Sequence, residues 1–224
     1  MTTGDETGAT FGDIYESAAW GGGSGEGSRA AATDVYRTIV ERLARGSDVS
    51  SVVDAGCGDW EFSQLIDWGD VSYLGLDVVP ELVAHNREAF TRPGVEFRCS
   101  DFHAERPPTA DLLLCKDVLQ HWPVAWIQRF LRVTRGRYRY MLLTNDIDST
   151  RPSHPRNSDI ELGDWRPLDL EAAVFGLRAA WRLDYDVGGE WTKRSLLIVP
   201  LRHRFGARIM PGSGLRAVRR SGVR

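Results

Sequence analysis

The sequence predicts an α/β fold: a doubly wound, mostly parallel seven-stranded sheet closed by an antiparallel hairpin. Three observations carry that expectation. Five short apolar runs are each long enough for a buried strand, and segments of helical period lie between them. Alternation of this kind requires right-handed crossovers, which lay successive strands parallel with helices on both faces. The last two strand candidates, 181–187 and 192–201, are separated only by Gly188-Gly189-Glu190-Trp191, too short for a crossover, so they should form a hairpin.

Taken in order, Phe11, Ile14, Tyr15 and Trp20 have roughly helical spacing and predict a short helix before the glycine loop Gly21 to Ser28. Val35, Ile39, Val40 and Leu43 mark one face of an amphipathic helix over 30–45. Strands are expected at 52–53, 73–76, 95–97, 112–114 and 140–143, with helices near 61–67, 80–91 and 123–134. The stretch 146–167 has no period, and Pro152, Pro155 and Pro167 prevent a continuous helix, so it reads as a long irregular loop. The expected division is a flexible N-terminal segment 1–28, one domain over 29–201 and a basic, disordered tail over 202–224.

Composition narrows the class. A chain of 224 residues with 42% hydrophobic and 26% charged residues is an ordinary globular composition with room for one core. No apolar run approaches the length of a membrane span, and the N-terminus has no apolar signal core. Three scattered cysteines suit reduced thiols in the cytoplasm. Residues 201–224 hold seven Arg and no acid, so removing them from the net −3 leaves −10 on residues 1–200. A body so acidic argues against a nucleic-acid groove and leaves only the tail for unspecific attraction to an anionic partner.

The chemistry is concentrated at strand ends. In Val52-Val53-Asp54-Ala55-Gly56-Cys57-Gly58-Asp59-Trp60 a buried strand runs into an acid and two glycines, which let the backbone turn tightly beside a ligand. Asp77, followed by Val78, ends the next strand where a carboxylate can accept both hydroxyls of a ribose, or else cap the helix entered through Pro80. Asp54, Asp59 and Glu61 crowd the turn with negative charge, which disfavours a pyrophosphate and favours a sulfonium or an ammonium. Beyond the fourth strand, Lys116-Asp117-Val118-Leu119-Gln120-His121-Trp122 would put Asp117 and His121 on one side of a helical turn, able to orient a nucleophile and take its proton; a packing histidine is the alternative.

Together these residues resemble the class I, Rossmann-like S-adenosylmethionine-dependent methyltransferases over about residues 30–145. Asp54-x-Gly56-x-Gly58 looks like the first motif of that family, Asp77 like its ribose-binding acid, Ser100-Asp101-Phe102 like its adenine-contacting segment, and 111–122 like its fourth-strand segment. Trp60 stands where the family often has a third glycine. The resemblance implies S-adenosylmethionine as cofactor, held by Asp54, Gly56, Gly58, Trp60, Asp77, Val78, Asp101, Phe102 and Lys116, with Trp20 and Ser28 added by the N-terminal segment. Tyr15, Trp20 and Ser24 to Ser28 resemble the lid of a bacterial subgroup, so the N-terminal helices are expected to cover the donor.

The expected activity is methyl transfer to an oxygen or nitrogen of a small polar metabolite or natural-product intermediate by a monomer or homodimer. Asp117, His121 and Asp146 are the catalytic candidates; Tyr15, Asn145, Asn157, Trp165 and Arg166 are the substrate candidates; no metal is expected. The competing readings are a macromolecule methyltransferase that uses the arginine tail, and a donor-binding regulatory subunit without transfer activity. A nicotinamide dehydrogenase is disfavoured by the acids at the glycine turn, the missing third glycine and the hairpin.

Overall fold

A computed structural model describes residues 3–46 and 48–200. Its elements are α1 (Thr3–Glu16), α2 (Asp34–Gly46), β1 (Ser51–Ala55), β2 (Ser72–Asp77), α3 (Pro80–Phe90), β3 (Val95–Cys99), β4 (Leu112–Lys116), α4 (Val124–Thr134), β5 (Tyr140–Ser149), β6 (Trp181–Val187) and β7 (Trp191–Ile198). All seven strands join one sheet in the order β3-β2-β1-β4-β5-β7-β6. β1 to β5 pair parallel, and β7 runs antiparallel to both β5 and β6. The hairpin thus inserts its second strand against β5 and leaves β6 at the edge. Strand order reverses between β1 and β4, and ligands of open α/β sheets bind in the crevice at that reversal, beyond the carboxyl ends of the strands.

Each face of the sheet has its own core. Tyr36 and Val40 of α2 pack with Val52, Tyr73, Phe97, Leu114 and Leu142 on one face. On the other, Ile127 and Phe130 of α4 pack with Val53, Leu76, Leu113, Cys115 and Leu143. The alternation of the two sets along β1 (Val52, Val53) and β4 (Leu113, Leu114) follows from the period of two in a strand buried on both sides.

The strands fall where the apolar runs predict them, but the helices between them are fewer. No α-helix forms over 61–67; only a single 3-10 turn, Ser63–Leu65, is present. Trp60 adopts φ 59°, a conformation that cannot start a right-handed helix, and Phe62, Ile66 and Trp68 are all buried rather than sharing one face. Residues 100–111, which join β3 to β4, carry no helix either, so α3 and α4 are the only α-helical crossovers in the described sheet. The helix expected over 30–45 begins as a 3-10 turn, Ala30–Ala32, and is α-helical from Asp34. All three cysteines are unpaired. Among the described residues no helix is long and apolar enough to cross a membrane. The expected tail, 202–224, lies outside the described residues.

Candidate functional site

The turn after β1 is built by two glycines in the left-handed region, Gly56 at φ 84° and Gly58 at φ 58°. A Cβ on Gly56 would stand 2.2 Å from Val118 Cγ2, so only glycine lets this turn lie against the end of β4. Asp77 braces the turn from β2: Oδ2 accepts from Gly58 N at 3.0 Å, while Oδ1 accepts from Val78 N at 2.8 Å and Val79 N at 3.2 Å. The N-cap of α3 is Val79, so Asp77 does not cap that helix. Burial pushes its carboxyl up in spite of those three amides. Asp54 accepts from the Tyr73 hydroxyl at 2.7 Å and is pushed up to about 6, by burial first, with the hydroxyl opposing. After β3, Asp101 Oδ1 accepts from His103 N and Ala104 N, whereas Oδ2 is buried without a partner.

These groups face a cavity of about 800 Å³, its open mouth included. Its floor is Asp54, Gly56, Gly58, Asp77, Val78, Asp101 and Phe102; its far wall is Lys116, Asp117, His121 and Trp122; its roof is Thr7, Phe11, Tyr15, Trp20, Ser24 and Ser28. The roof is fastened at Ser24. Its N donates to Asp59 Oδ2 at 2.8 Å, its Oγ accepts from Asp59 N at 2.9 Å, and the Tyr15 hydroxyl lies 2.8 Å from the same oxygen. Arg29 adds a bond to Glu61 at 3.0 Å. Asp59 and Glu61 therefore hold the N-terminal segment and do not face a ligand, which corrects the charge argument from sequence: Asp54 and Asp77 carry it.

Beside the cavity lies a cluster of four buried charges. Lys116 Nζ donates to Asp117 Oδ2 at 2.5 Å and to Gly27 O at 2.9 Å. Lys193 of β7, 1% exposed, donates to the same Asp117 oxygen and to Asp146 Oδ1, both at 2.8 Å. Gln120 and Trp165 donate to Asp146 Oδ2 at 3.1 and 3.3 Å. Burial would raise Asp117, but the two ammonium groups prevail and hold it at about 2. Its other oxygen, Oδ1, is buried with no partner.

His121 belongs to the 3-10 turn Leu119–His121, not to an α-helix shared with Asp117, which itself has φ 57°. The ring lies 4.8 Å from Trp20, centroid to centroid, and Nδ1 faces the Asp164 carbonyl at 3.0 Å. A carbonyl only accepts, so Nδ1 carries the proton and Nε2 the lone pair. Burial lowers His121 to about 4, with the Asp164 carbonyl opposing.

Several expected site residues do other work. Trp60 is fully buried, packed on Tyr73, Phe90 and Phe97, and does not line the cavity. Asp146 is locked in the charge cluster behind the cavity wall, and Trp165 donates to it. Asn145 is buried in β5 beside β7. Asn157 closes its own loop on Asp169, accepting from Asp169 N at 2.7 Å. Arg166, also fully buried, donates to Leu119 O at 3.0 Å and Trp122 O at 2.8 Å, clamping the turn that carries His121. The sequence reading missed Phe11 and Lys193. For Lys193 a signal exists: Lys193 and Ser195 occupy the inward positions of β7, where an unpaired lysine would not be tolerated.

Residues 53–137 match a family described as methyltransferase domain. No curated protein sequence matches the chain. Among solved structures, the mitomycin 7-O-methyltransferase aligns with TM-score 0.55 at 20% identity, over 74% of this chain and 54% of that one. Magnesium protoporphyrin IX methyltransferase from Synechocystis PCC 6803, with bound SAH, aligns with TM-score 0.61 at 14% identity, over 87% and 99%. A DhpI–SAH complex aligns with TM-score 0.57 at 16% identity, over 90% and 100%. The chain spans about half the length of the first and nearly all of the other two. Residues 53–137 thus match the methyltransferase-domain family, within a chain that has the class I, Rossmann-like fold of S-adenosylmethionine-dependent methyltransferases.

Proposed function

We propose that the chain is an enzyme that transfers a methyl group from S-adenosylmethionine to an oxygen or nitrogen of a small molecule. One observation carries the reading: three carboxylates at the ends of β1, β2 and β3 face a single cavity around a glycine turn that no Cβ could enter. The residues fit this donor. Asp77 retains lone pairs beyond its three amides for the ribose hydroxyls, the orphaned Asp101 Oδ2 suits the exocyclic amine of adenine, and Asp54 balances the positive end. Bound there, the donor supplies a methyl group on a positively charged sulfur, and displacement is then mostly a matter of positioning.

The chain's own part is to hold both reactants and keep water out. Phe11, Tyr15 and Trp20 roof the cavity with aromatic faces, which attract a sulfonium. A dinucleotide suits the turn less well, because no helix follows it to place an N-terminus against a pyrophosphate. The fastened roof also supports a small acceptor over a macromolecule. Cys57 and Cys115, buried and unpaired, support a reducing compartment, the cytoplasm. S-adenosylhomocysteine should raise the melting temperature and NAD should not; equal stabilisation by NAD would sink the reading. Release of S-adenosylhomocysteine during turnover separates an enzyme from a donor-binding subunit.

A further inference from the structure

Every polar atom of the charge cluster at the carboxyl ends of β4 and β5 and the amino end of β7 is accounted for except one. Asp146 has both oxygens hydrogen-bonded, and Asp117 Oδ2 takes an ammonium from each side, yet Asp117 Oδ1 is buried with no partner. The same residue has φ 57°, a costly backbone for a non-glycine residue. Two costs at one cavity-lining position mark a group kept for a ligand rather than for the fold.

Resting on the methyl-transfer reading above, we propose that the methyl acceptor is a small amine, which donates an N–H to Asp117 Oδ1 and turns its lone pair toward the donor's methyl carbon. The cavity's charge supports this. Four carboxylates, Asp54, Asp77, Asp101 and Asp117, line it against one ammonium, Lys116. With a cationic donor in place the cavity still favours a cation and repels a carboxylate. Phe11, Tyr15 and Trp20 on the roof favour an ammonium for the same reason that they favour a sulfonium.

In the transfer step the nitrogen lone pair forms the N–C bond while the C–S bond breaks, its electron pair staying on sulfur. Positive charge therefore moves from sulfur to nitrogen, toward a carboxylate already held in place, and the fixed anion stabilises the transition state more than the ground state. An amine bound as the ammonium first gives one proton to water, an easy loss for an ammonium, and the neutral amine then attacks; the methylated nitrogen departs as the new ammonium. A hydroxyl acceptor would need a base, and those at hand are weak: His121 is lowered to about 4 and Asp117 to about 2. Lys193 is a positioning residue here, holding Oδ2 so that Oδ1 points away from it.

The test uses full-length protein saturated with S-adenosylhomocysteine, titrated by calorimetry with three probes of one shape: 2-phenylethylamine, 2-phenylethanol and 3-phenylpropionate. The amine should bind at least roughly tenfold more tightly than the alcohol, the margin of a charge-assisted hydrogen bond, and the carboxylate should give no heat. Asp117→Asn should bring the amine down to the alcohol's affinity while S-adenosylhomocysteine still binds. Equal affinities for amine and alcohol, binding of the carboxylate, or no amine binding at millimolar concentration would each overturn the proposal. The wild-type series decides it even if the variant does not fold. Failure of S-adenosylhomocysteine itself to bind would instead remove the reading on which the proposal rests.

Discussion

At Asp54, burial and binding oppose each other. Its carboxyl is pushed up to about 6, so above that pH the cavity holds a buried anion, and a cationic donor relieves it. Affinity for S-adenosylmethionine, measured by calorimetry, should therefore fall as pH drops from about 7 to 5. Tyr73→Phe removes the hydroxyl that favours the charged form and should move that midpoint higher. Asp77→Asn should cost about 1.5–3 kcal/mol of donor affinity, since it loses charge-assisted bonds to the ribose and replaces an acceptor of backbone amides; unchanged affinity would leave Asp77 only the role of bracing the turn. These acids were legible because strand ends in a parallel sheet open on one crevice, so chain position alone places them. Trp60 was misread for a physical reason: a large side chain beside a glycine turn has two exits, toward ligand or toward core, and spacing does not choose between them. His121 was legible as a cavity residue, but its depressed basicity depends on burial contributed by distant segments.

At the scale of elements, the Ser24 hydroxyl joins α1, through Tyr15, to the donor turn, beside the bonds of Ser24 N and Arg29. Ser24→Ala removes the acceptor of Asp59 N and the partner of Tyr15. About 1–2 kcal/mol of roof closure should be lost, read as several-fold weaker S-adenosylhomocysteine binding with an unchanged far-UV spectrum. Arg166 shows the converse case, in which a candidate ligand contact proves to be a brace. Arg166→Met should leave the Trp122 carbonyl without a donor and the Leu119 carbonyl with Trp122 N alone, and lower stability by about 1–3 kcal/mol. Thermal unfolding would show that loss without any substrate present. Strands were easier to foresee than crossovers because a buried strand needs only a short apolar run. The segment over 61–67 carries a helical period too, yet Trp60 and its neighbours gain more by entering the core than a short helix gains on the surface.

For the whole molecule, buried titrating groups set the acid limit. Asp117, held at about 2, contributes stability that is complete above the unfolded carboxylate value of about 3.9 and is lost as pH falls toward 2. His121, held at about 4, favours the folded state above about 6.5 and withdraws that support as pH falls from 6.5 to 4. Asp54 works in the opposite sense, easing the folded state as pH falls from about 6 toward 3.9. A melting series should therefore change little from pH 6.5 to 4 and fall steeply below it; a steep loss already at pH 5.5 would show that His121 outweighs Asp54.

Lys193 comes from the last strand, and Gly27 from the first segment of the chain; both meet Asp117, which lies near the middle. A ribosome makes these parts in order, and while a growing chain still lacks β7, Asp117 and Asp146 have no second ammonium between them. The residues of the donor's floor, the last of them Phe102, are thus made well before the lysine that fixes the acceptor-facing carboxylate. The acceptor-facing side of the cavity therefore takes its final charge only when the last strand has been added.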